Sequence, residues 1–227
     1  MTPDRMNLAL FDHDGTLIPT DSDHAFGEFL VRIGWADADA FKRRNDAFYQ
    51  QYLDGALDLD AYIDFATSVW RERHPQEAEA IRERFMREEM APMIRPAARQ
   101  LVQRHQDAGD LVAIVTATNE FVTRPIAEAF GVPHLLAVEL HRDDAGRYTG
   151  RVHGVPTFRE GKIRRVEDWL TAQGRCWDDF GRVTFYSDSP NDLPLLERVS
   201  HPVATNPGPG LERIAHERGW PILRLFE

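Results

Sequence analysis

Three clusters of polar residues, each placed directly after a run of apolar residues, carry side chains that could do chemistry together. They read D-H-D-G-T at 12–16, T-A-T-N at 116–119 and S-D-S-P-N-D at 187–192. If each cluster follows a strand of one parallel sheet, the aspartates of the first and third clusters meet at one edge and repel each other. Oxygen ligands without paired histidine or cysteine favour Mg2+. The sequence therefore predicts a magnesium site at this edge.

Other residues could bind a phosphate group beside that metal. Thr116 can donate a hydroxyl hydrogen bond, and Lys162, at the start of a predicted helix, can supply a positive charge. Free backbone N–H groups near Gly15 and Thr16 could surround the phosphate oxygens. A bound cation would reverse the local field, so an acidic chain can still accept an anionic substrate. We expect that substrate to be a small phosphorylated metabolite.

The elements that must position these residues alternate along the chain. Short apolar runs predict strands, and amphipathic runs closed by glycine predict helices. The predicted strands cover 7–11, 111–115, 134–140, 183–186 and 222–226, and the predicted helices cover 98–108, 121–130, 162–173, 192–199 and 211–217. This alternation predicts an α/β fold with a parallel sheet and helices on both faces. Ligands of such sheets bind beyond the carboxyl ends of the strands.

Residues 21–93 differ from the rest, because their apolar residues fall at helical spacing with no strand pattern. We predict four or five helices there, with Asp60 as an N-cap, and assign their aromatic residues to helix packing. The chain then divides into a core of 1–18 and 96–227, with a small hairpin flap near 140–157, and an all-α cap of 19–95. Because the cap follows the first strand, it is placed to cover the site as a lid.

The stretch F-D-H-D-G-T-L at 11–17 resembles the first signature of the haloacid dehalogenase (HAD) superfamily of phosphatases. Thr116, Lys162 and the S-D-S-P-N-D segment at 187–192 follow in the order of the second, third and fourth signatures. The helical insert after the first signature is similar to that of the phosphoserine phosphatase-like branch. The resemblance implies a Rossmann-like core, phosphatase activity and Mg2+ as cofactor.

The resemblance also implies a role for each matching residue. Asp12 is the expected nucleophile, which forms an aspartyl-phosphate, and Asp14 is the expected general acid and base. Alternate residues of an extended segment point the same way, so both carboxylates can face one phosphorus. Mg2+ is expected on the Asp12 carboxylate, the Asp14 backbone carbonyl and the Asp188 carboxylate. Thr116 and Lys162 are expected to neutralise the phosphoryl oxygens.

The remaining expected contacts are less closely tied to the signatures. Asp192 would orient Lys162 or a metal-bound water, and Asn191 would reach the phosphate side. Asp21 and His24 lie closest in sequence to the catalytic loop and are expected to touch substrate.

Two departures from the phosphoserine phosphatase pattern bear on the substrate. Ala117 and Thr118 stand where those enzymes have two glycines, and Asp21 stands where they have a glutamate that holds the substrate amine. Added bulk beside the carboxylate site and a retained negative charge favour an amine-bearing phosphate without a carboxylate. Histidinol phosphate fits both departures better than phosphoserine does.

Composition excludes several classes of function. The 227 residues carry 37 acidic side chains against 27 Lys and Arg, a net charge of −10, which argues against nucleic acid or an anionic membrane as partner. The single cysteine, Cys176, excludes an internal disulfide framework. We find no leader before the first strand and no apolar run that approaches the roughly 18 residues of a membrane span, so we expect a cytoplasmic protein.

Three alternatives stay open on the sequence alone. A phosphotransferase or phosphomutase could use the same residues to pass the phosphoryl group to an alcohol instead of water. A non-catalytic phosphate-binding module could share the fold, although both Asp12 and Asp14 are present. The sequence does not distinguish a monomer from a homodimer.

Overall fold

Six strands form one parallel sheet, which confirms the predicted α/β class. The computed structural model describes residues 5–226. The expectation that no leader precedes the first strand concerns residues 1–4, which lie outside that range. The six strands are β1 Leu8–Phe11, β2 Leu111–Asn119, β3 His134–Val138, β6 Val183–Ser187, β7 His201–Thr205 and β8 Ile222–Leu223. Their order is β3-β2-β1-β6-β7-β8, and every neighbouring pair is parallel. Strands β4 Leu140–Arg142 and β5 Tyr148–Val152 form a separate antiparallel hairpin.

The α-helices flank this sheet and fill the segment between β1 and β2. They are α1 Ser22–Arg32, α2 Ala38–Leu53, α3 Leu59–Ser68, α4 Pro75–Phe85, α5 Pro96–Asp107, α6 Glu120–Ala129, α7 Glu160–Ala172, α8 Leu193–Arg198 and α9 Pro209–Arg218. A π-helical turn, Met86–Met90, and a 3-10 turn, Ala91–Met93, follow α4. Within residues 5–226, no helix has both the length and the apolar character needed to cross a membrane.

Among residues 5–226, β7 is the strand of the sheet that the sequence analysis did not predict. It contains Pro202, and only Val203 and Ala204 give it an apolar signal. The short strand β8 pairs with Ala204 and Thr205, so Pro202 lies on a stretch of β7 that is an edge of the sheet. Proline is tolerated at such a position because no neighbouring strand needs its missing N–H.

The N-cap of α3 was also predicted at the wrong aspartate. The helix begins at Leu59, and Asp58 caps it by accepting a hydrogen bond from the Ala61 N–H at 3.1 Å. Asp60 is instead the second residue of the helix. Acidic residues are favourable in a first turn as well as at a cap, so the local sequence suits both aspartates.

Aromatic residues of α1 and α4, together with Trp70 after α3, share a hydrophobic core with one face of the sheet. Phe26, Phe29, Trp70 and Phe85 belong to one hydrophobic cluster with Phe121 of α6. The Trp70 and Phe121 rings stack with centroids 4.0 Å apart. A second cluster on the opposite face of the sheet contains Leu170, Phe185, Leu195 and Leu211. Helices α1 to α4 and the two turns after α4 form one helical segment. Its hydrophobic core is continuous with that of α6.

Candidate active site

The carboxyl ends of three neighbouring strands bring the polar clusters to one edge of the sheet. Strand β1 lies between β2 and β6, with Phe11 in register with Ile114 on one side and Tyr186 on the other. The Asp12 N–H extends this ladder by donating to the Tyr186 carbonyl at 2.8 Å. Thr116 follows on β2, which runs on to Asn119 with an irregular register rather than ending at residue 115.

Lys162 lies between two carboxylates at this edge. As the third residue of α7 it points its Nζ to Asp12 Oδ1 at 2.9 Å and to the Asp192 carboxylate at 2.7 Å. All three side chains are buried. Ser187 Oγ donates a further hydrogen bond of 2.7 Å to Asp192. The Lys162 ammonium, with one positive charge, thus lies between two carboxylates and cannot neutralise both of them.

The pKa values of Asp12 and Lys162 follow from the burial of both groups and from the charges beside them. Burial raises the pKa of Asp12 to about 7 although the Lys162 ammonium acts to lower it. For Lys162, burial acts to lower the pKa, but the charges of Asp12 and Asp192 outweigh it and raise the pKa above its ordinary value. Lys162 therefore keeps its charge.

Asp188 lies next to the first loop and has no such partner. Its Oδ1 accepts a 3.1 Å hydrogen bond from Thr16 Oγ1, but no lysine, arginine or histidine among residues 5–226 forms an ion pair with it. Burial, then the charges of Asp12 and Asp192, raise its pKa well above the usual range. The Asp188 carboxylate thus has no cation among the described residues to neutralise it. Such oxygens suit a hard divalent cation such as Mg2+.

The Asp14 carboxylate is held by three donors. Its Oδ1 accepts from the Ser22 N–H at 2.7 Å and contacts His13 Nδ1 at 3.0 Å, and its Oδ2 accepts from Thr118 Oγ1 at 2.7 Å. Burial acts to raise the pKa of Asp14, but the His13 ring and the hydrogen bonds from these donors outweigh it and lower the pKa. Thr118, one of the two residues that replace a glycine pair, thus orients Asp14.

A cavity opens over this edge between the sheet and the helical segment. Asp12, Asp14 and Thr116 line its floor. The helical segment contributes acidic, aromatic and polar side chains, which are Asp21, Asp23, His24, Asn45, Phe48, Tyr49, Tyr52, Leu57, Leu59 and Tyr62. The predicted contacts Asp21 and His24 thus lie on the cavity wall. Asp21 also caps α1 by accepting from the His24 N–H at 2.8 Å.

Asn191 lies where a core loop meets the end of α2. Its Nδ2 donates to the Tyr52 carbonyl at 3.0 Å. Nearby, the Arg159 guanidinium donates to the Gly55 carbonyl. Arg159 has a positive φ of 51° immediately before α7. The structure therefore places Asn191 in a contact that joins the helical segment to the core, and the amide reaches the main chain of α2 rather than extending along the cavity floor.

Comparison with known proteins places this site in a family. The family model of haloacid dehalogenase-like hydrolases matches residues 9–197, which include every catalytic residue expected from the signatures. The chain belongs to the haloacid dehalogenase-like hydrolase family. Its HAD signatures are the three polar clusters and Lys162, which the fold brings to the edge of the sheet.

Several relatives of this HAD chain are phosphatases by name. It is 44% identical over 219 residues, 96% of this chain and 99% of the relative, to a histidinol-phosphatase of Neisseria meningitidis serogroup C (strain 8013). It is 32% identical over 217 residues, 94% of this chain and 69% of the relative, to a phosphoserine phosphatase of Mycobacterium tuberculosis (strain ATCC 25618 / H37Rv). The HAD chain is a phosphoric monoester hydrolase.

Solved structures agree with the fold. A protein of unknown function from Bordetella pertussis Tohama I is 48% identical, with a TM-score of 0.92 over 98% of this chain and 100% of that one. A substrate-bound phosphoserine phosphatase is 17% identical, with a TM-score of 0.68 over 98% of this chain and 94% of that one. At that identity the second likeness concerns the HAD fold alone.

Sequence reasoning missed part of the cavity wall in this HAD protein. Asp23, Tyr62 and Asn119 come together there, and Asn119 Nδ2 lies 3.0 and 3.2 Å from the two Asp23 oxygens. The aromatic residues of the helical segment were all assigned to packing, yet Phe48, Tyr49, Tyr52 and Tyr62 line the cavity. Asp23 lies in the first turn of α1, where an acidic residue is expected for helix stability alone. Only the packing of α3 and α6 around it reveals its burial.

Gly15→Ala is expected to damage this HAD site through contact rather than through backbone strain. Gly15 has φ +72°, and a Cβ there would lie 2.2 Å from Asp188 Oδ2, so the carboxylate must move. A displacement of about 1 Å in an active site costs on the order of 100-fold in rate. We expect kcat/KM on an aryl phosphate to fall by about that factor.

Gly34→Ala is the matched control for this substitution. Gly34 has φ +75°, and no atom lies within 4 Å of the position of its Cβ. Both alanines carry the left-handed strain of about 1–2 kcal/mol, so both should lower the melting temperature. Equal activity in the two variants would contradict the contact with Asp188.

Asp23→Asn is expected to change the pH dependence of stability. Burial raises the pKa of Asp23 to about 7, so the folded chain keeps a proton that the unfolded chain, with its ordinary pKa of 3.8, releases. The free energy of unfolding of the wild type therefore falls as pH rises through this window. Asparagine removes that loss, about 2 kcal/mol between pH 5 and pH 8.

Thermal melting in EDTA measures this effect. The melting temperature of Asp23→Asn relative to wild type should be about 5 °C higher at pH 8 than at pH 5. Asp60→Asn, at an exposed position of α3, is the control and should show no such pH dependence. A constant difference between Asp23→Asn and wild type at both pH values would show that Asp23 does not bind this proton.

Proposed function

We propose that this phosphatase hydrolyses the phosphomonoester of a small, amine-bearing metabolite in the cytoplasm, with Mg2+ and through an aspartyl-phosphate on Asp12. Histidinol phosphate is the favoured substrate, and phosphoserine is the second. The observation that carries the proposal is the buried Asp12–Lys162–Asp192 arrangement, in which Asp12 lines the floor of an acidic cavity. A carboxylate next to an ammonium, both shielded from water, suits attack on phosphorus and stabilisation of the charge that develops.

In the first step an Asp12 oxygen attacks phosphorus, and the bond from phosphorus to the ester oxygen breaks. Asp14 gives its proton to the departing alkoxide, so the alcohol leaves neutral. The donors around Asp14 favour its charged form in the free protein, but a bound phosphate dianion adds negative charge beside it and favours protonation. Lys162 and the Thr116 hydroxyl interact with the phosphoryl oxygens as charge develops on them.

In the second step water attacks the phosphorus of the aspartyl-phosphate. The bond between phosphorus and the Asp12 oxygen breaks, and Asp14 takes the proton from the water. Inorganic phosphate leaves, and both carboxylates return to their starting states. The three hydrogen-bond donors on Asp14 fix its carboxylate for this base role.

Asp12, Asp188 and the backbone carbonyl of Asp14 are the residues that would hold Mg2+. The lack of an ion-pair partner for Asp188 among the described residues supports this assignment. The metal would supply positive charge that screens the attacking carboxylate from the phosphate oxygens. Asp192 keeps Lys162 in place, and we assign it a positioning role.

The acidic wall of the cavity supports an amine-bearing substrate. Asp21 and Asp23 face a space that the substrate beyond the phosphate would fill, and neither has an ion-pair partner among residues 5–226. The relative from Neisseria meningitidis, which matches over nearly its whole length, is named a histidinol-phosphatase. A substrate ammonium would neutralise Asp21, whose pKa burial and the charge of Asp14 raise well above its usual range.

We assign residues 19–95 to a cap that controls access to the cavity. The contacts of Tyr52 with Asn191 and of Gly55 with Arg159 close its α2 end over the core. Closure would exclude bulk water before the reaction, and separation of these contacts would admit substrate.

Steady-state kinetics on a panel of phosphomonoesters, with and without Mg2+, tests the proposal. We expect kcat/KM to be highest for histidinol phosphate, lower for phosphoserine and phosphoethanolamine, and low but measurable for an aryl phosphate. A clear preference for phosphoserine would overturn the favoured substrate. Asp21→Ala should change the ranking more than it changes aryl phosphate turnover.

Addition of a competing alcohol distinguishes a hydrolase from a phosphotransferase. A hydrolase yields inorganic phosphate in the same amount as the released alcohol whatever acceptor is added. Phosphate transfer to glycerol in an amount that rivals hydrolysis would favour the phosphotransferase alternative.

A further inference from the structure

Two carboxylates on the cavity wall, the half-buried Asp21 and the buried Asp23, lack a cationic partner among residues 5–226, although a single substrate ammonium can pair with only one of them closely. Asp21 and Asp23 lie two residues apart at the start of α1, and Asp23 is 6% exposed. No lysine, arginine or histidine among residues 5–226 forms an ion pair with either. An acidic side chain that is buried without a cation is costly to the fold, so its presence beside a substrate cavity calls for a role.

The groups around Asp23 donate hydrogen bonds to its side-chain oxygens. Asn119 caps α6 by accepting from the Val122 N–H through Oδ1 at 3.2 Å, so its amide cannot turn, and Nδ2 must face Asp23. Tyr62 lines the same wall as Asp23, and burial, then the charge of Asp23, raises the pKa of its hydroxyl well above its usual range, so the hydroxyl stays protonated and can donate to Asp23. A carboxylate has about four acceptor positions, and these donors leave at least one free.

The walls near Asp23 are aromatic as well as acidic. Phe48 and Tyr62 lie edge to face with centroids 5.4 Å apart, and Tyr49 lies 4.8 Å from the His24 ring. An aromatic lining of this kind suits a flat group that carries partial positive charge, because aromatic rings attract such a group. Charge, acceptor capacity and the aromatic lining thus favour a flat nitrogen ring over a simple alkyl chain.

We propose that Asp23, held by Asn119 and Tyr62, is a specificity-determining residue that binds a ring N–H of the substrate while Asp21 binds its ammonium. This inference rests on the proposed phosphatase function and refines it. The preferred substrates are then phosphomonoesters with two separate nitrogen donors, one aliphatic and one in an aromatic ring. A monoamine phosphate leaves Asp23 without its partner and gains little from the acidic wall.

Three substrates separate the contributions of the two donors. Histidinol phosphate has both the ammonium and the ring N–H, 2-amino-3-hydroxypropyl phosphate has the ammonium alone, and 4-nitrophenyl phosphate has neither. A hydrogen bond to a charged group contributes about 10- to 100-fold. Asp23→Asn should lower kcat/KM for histidinol phosphate by about that factor and change the other two by less than about threefold. Tyr62→Phe should show a smaller loss of the same pattern.

Asp60→Asn is the control, since it removes an exposed carboxylate from the same helical segment. An equal loss on all three substrates in Asp23→Asn would mean that Asp23 only supports the fold, and no loss on histidinol phosphate would mean that it does not touch the ring. Either result overturns the inference while aryl phosphate turnover by the wild type stands. Absence of Mg2+-dependent aryl phosphate turnover in the wild type would instead overturn the proposed function itself.

Discussion

Asp12→Asn is expected to lower kcat by at least about 1000-fold, a barrier increase of about 4 kcal/mol, on every phosphomonoester that the wild type hydrolyses. The amide has nearly the size of the carboxylate but is a far weaker nucleophile, so the aspartyl-phosphate cannot form. Single-turnover kinetics with an aryl phosphate measures the loss at the chemical step. Retention of a tenth of the wild-type rate would exclude Asp12 as the nucleophile.

The fold of Asp12→Asn should stay intact. Burial is the largest influence on the Asp12 carboxyl and raises its pKa to about 7, so a neutral side chain at this position relieves a cost. Lys162 keeps its second partner, Asp192, at 2.7 Å. We therefore expect a melting temperature in EDTA that is equal to or above that of the wild type. A large drop would mean that the activity loss reflects unfolding.

Lys162→Met is expected to have the second largest effect, on activity and on stability together. The substitution keeps an unbranched side chain but leaves the Asp12 and Asp192 carboxylates without their cation in a buried site. Breaking a buried ion pair in this way costs about 3–5 kcal/mol of folding stability. Loss of a charge that faces the phosphoryl oxygens costs a further 100- to 1000-fold in kcat by order of magnitude.

A double variant separates the two effects of Lys162. Lys162→Met combined with Asp192→Asn removes one of the two unpaired charges, so thermal melting should recover part of the lost stability. Activity should stay low, because the positive charge beside phosphorus is still absent. Recovery of activity in the double variant would contradict a direct role for Lys162. Lys42→Met, at an exposed lysine paired with Glu28 and Asp46, serves as the surface control.

A strand of the sheet could be predicted wherever its own residues formed an apolar run. The runs that became β1, β2 and β6 are apolar and end in polar residues, so their positions and the meeting of their ends followed from the sequence. Strand β7 could not be predicted, since Pro202 weakens its signal, and only the short pairing of β8 makes the proline tolerable. The Asp58 cap was missed because aspartates stand at both 58 and 60.

The sequence by itself determined which reactive groups the chain has and their order. Asp12, Asp14, Thr116, Lys162 and Asp188, each beside a strand end or helix start, predicted a site for magnesium and phosphate. The resemblance of their segments to the HAD signatures implied phosphatase chemistry. These predictions depend on short segments in which apolar pattern and turn residues act locally.

Only the tertiary structure decided which charges are paired and which are free. Lys162 meets Asp12 across 150 positions of sequence, Asp188 has no cation among the described residues, and Asp23 becomes buried when α3 and α6 pack over it. The physical reason is that Coulomb energy and the cost of burial depend on distance through space and on local dielectric. Neither quantity is fixed until distant segments have packed together.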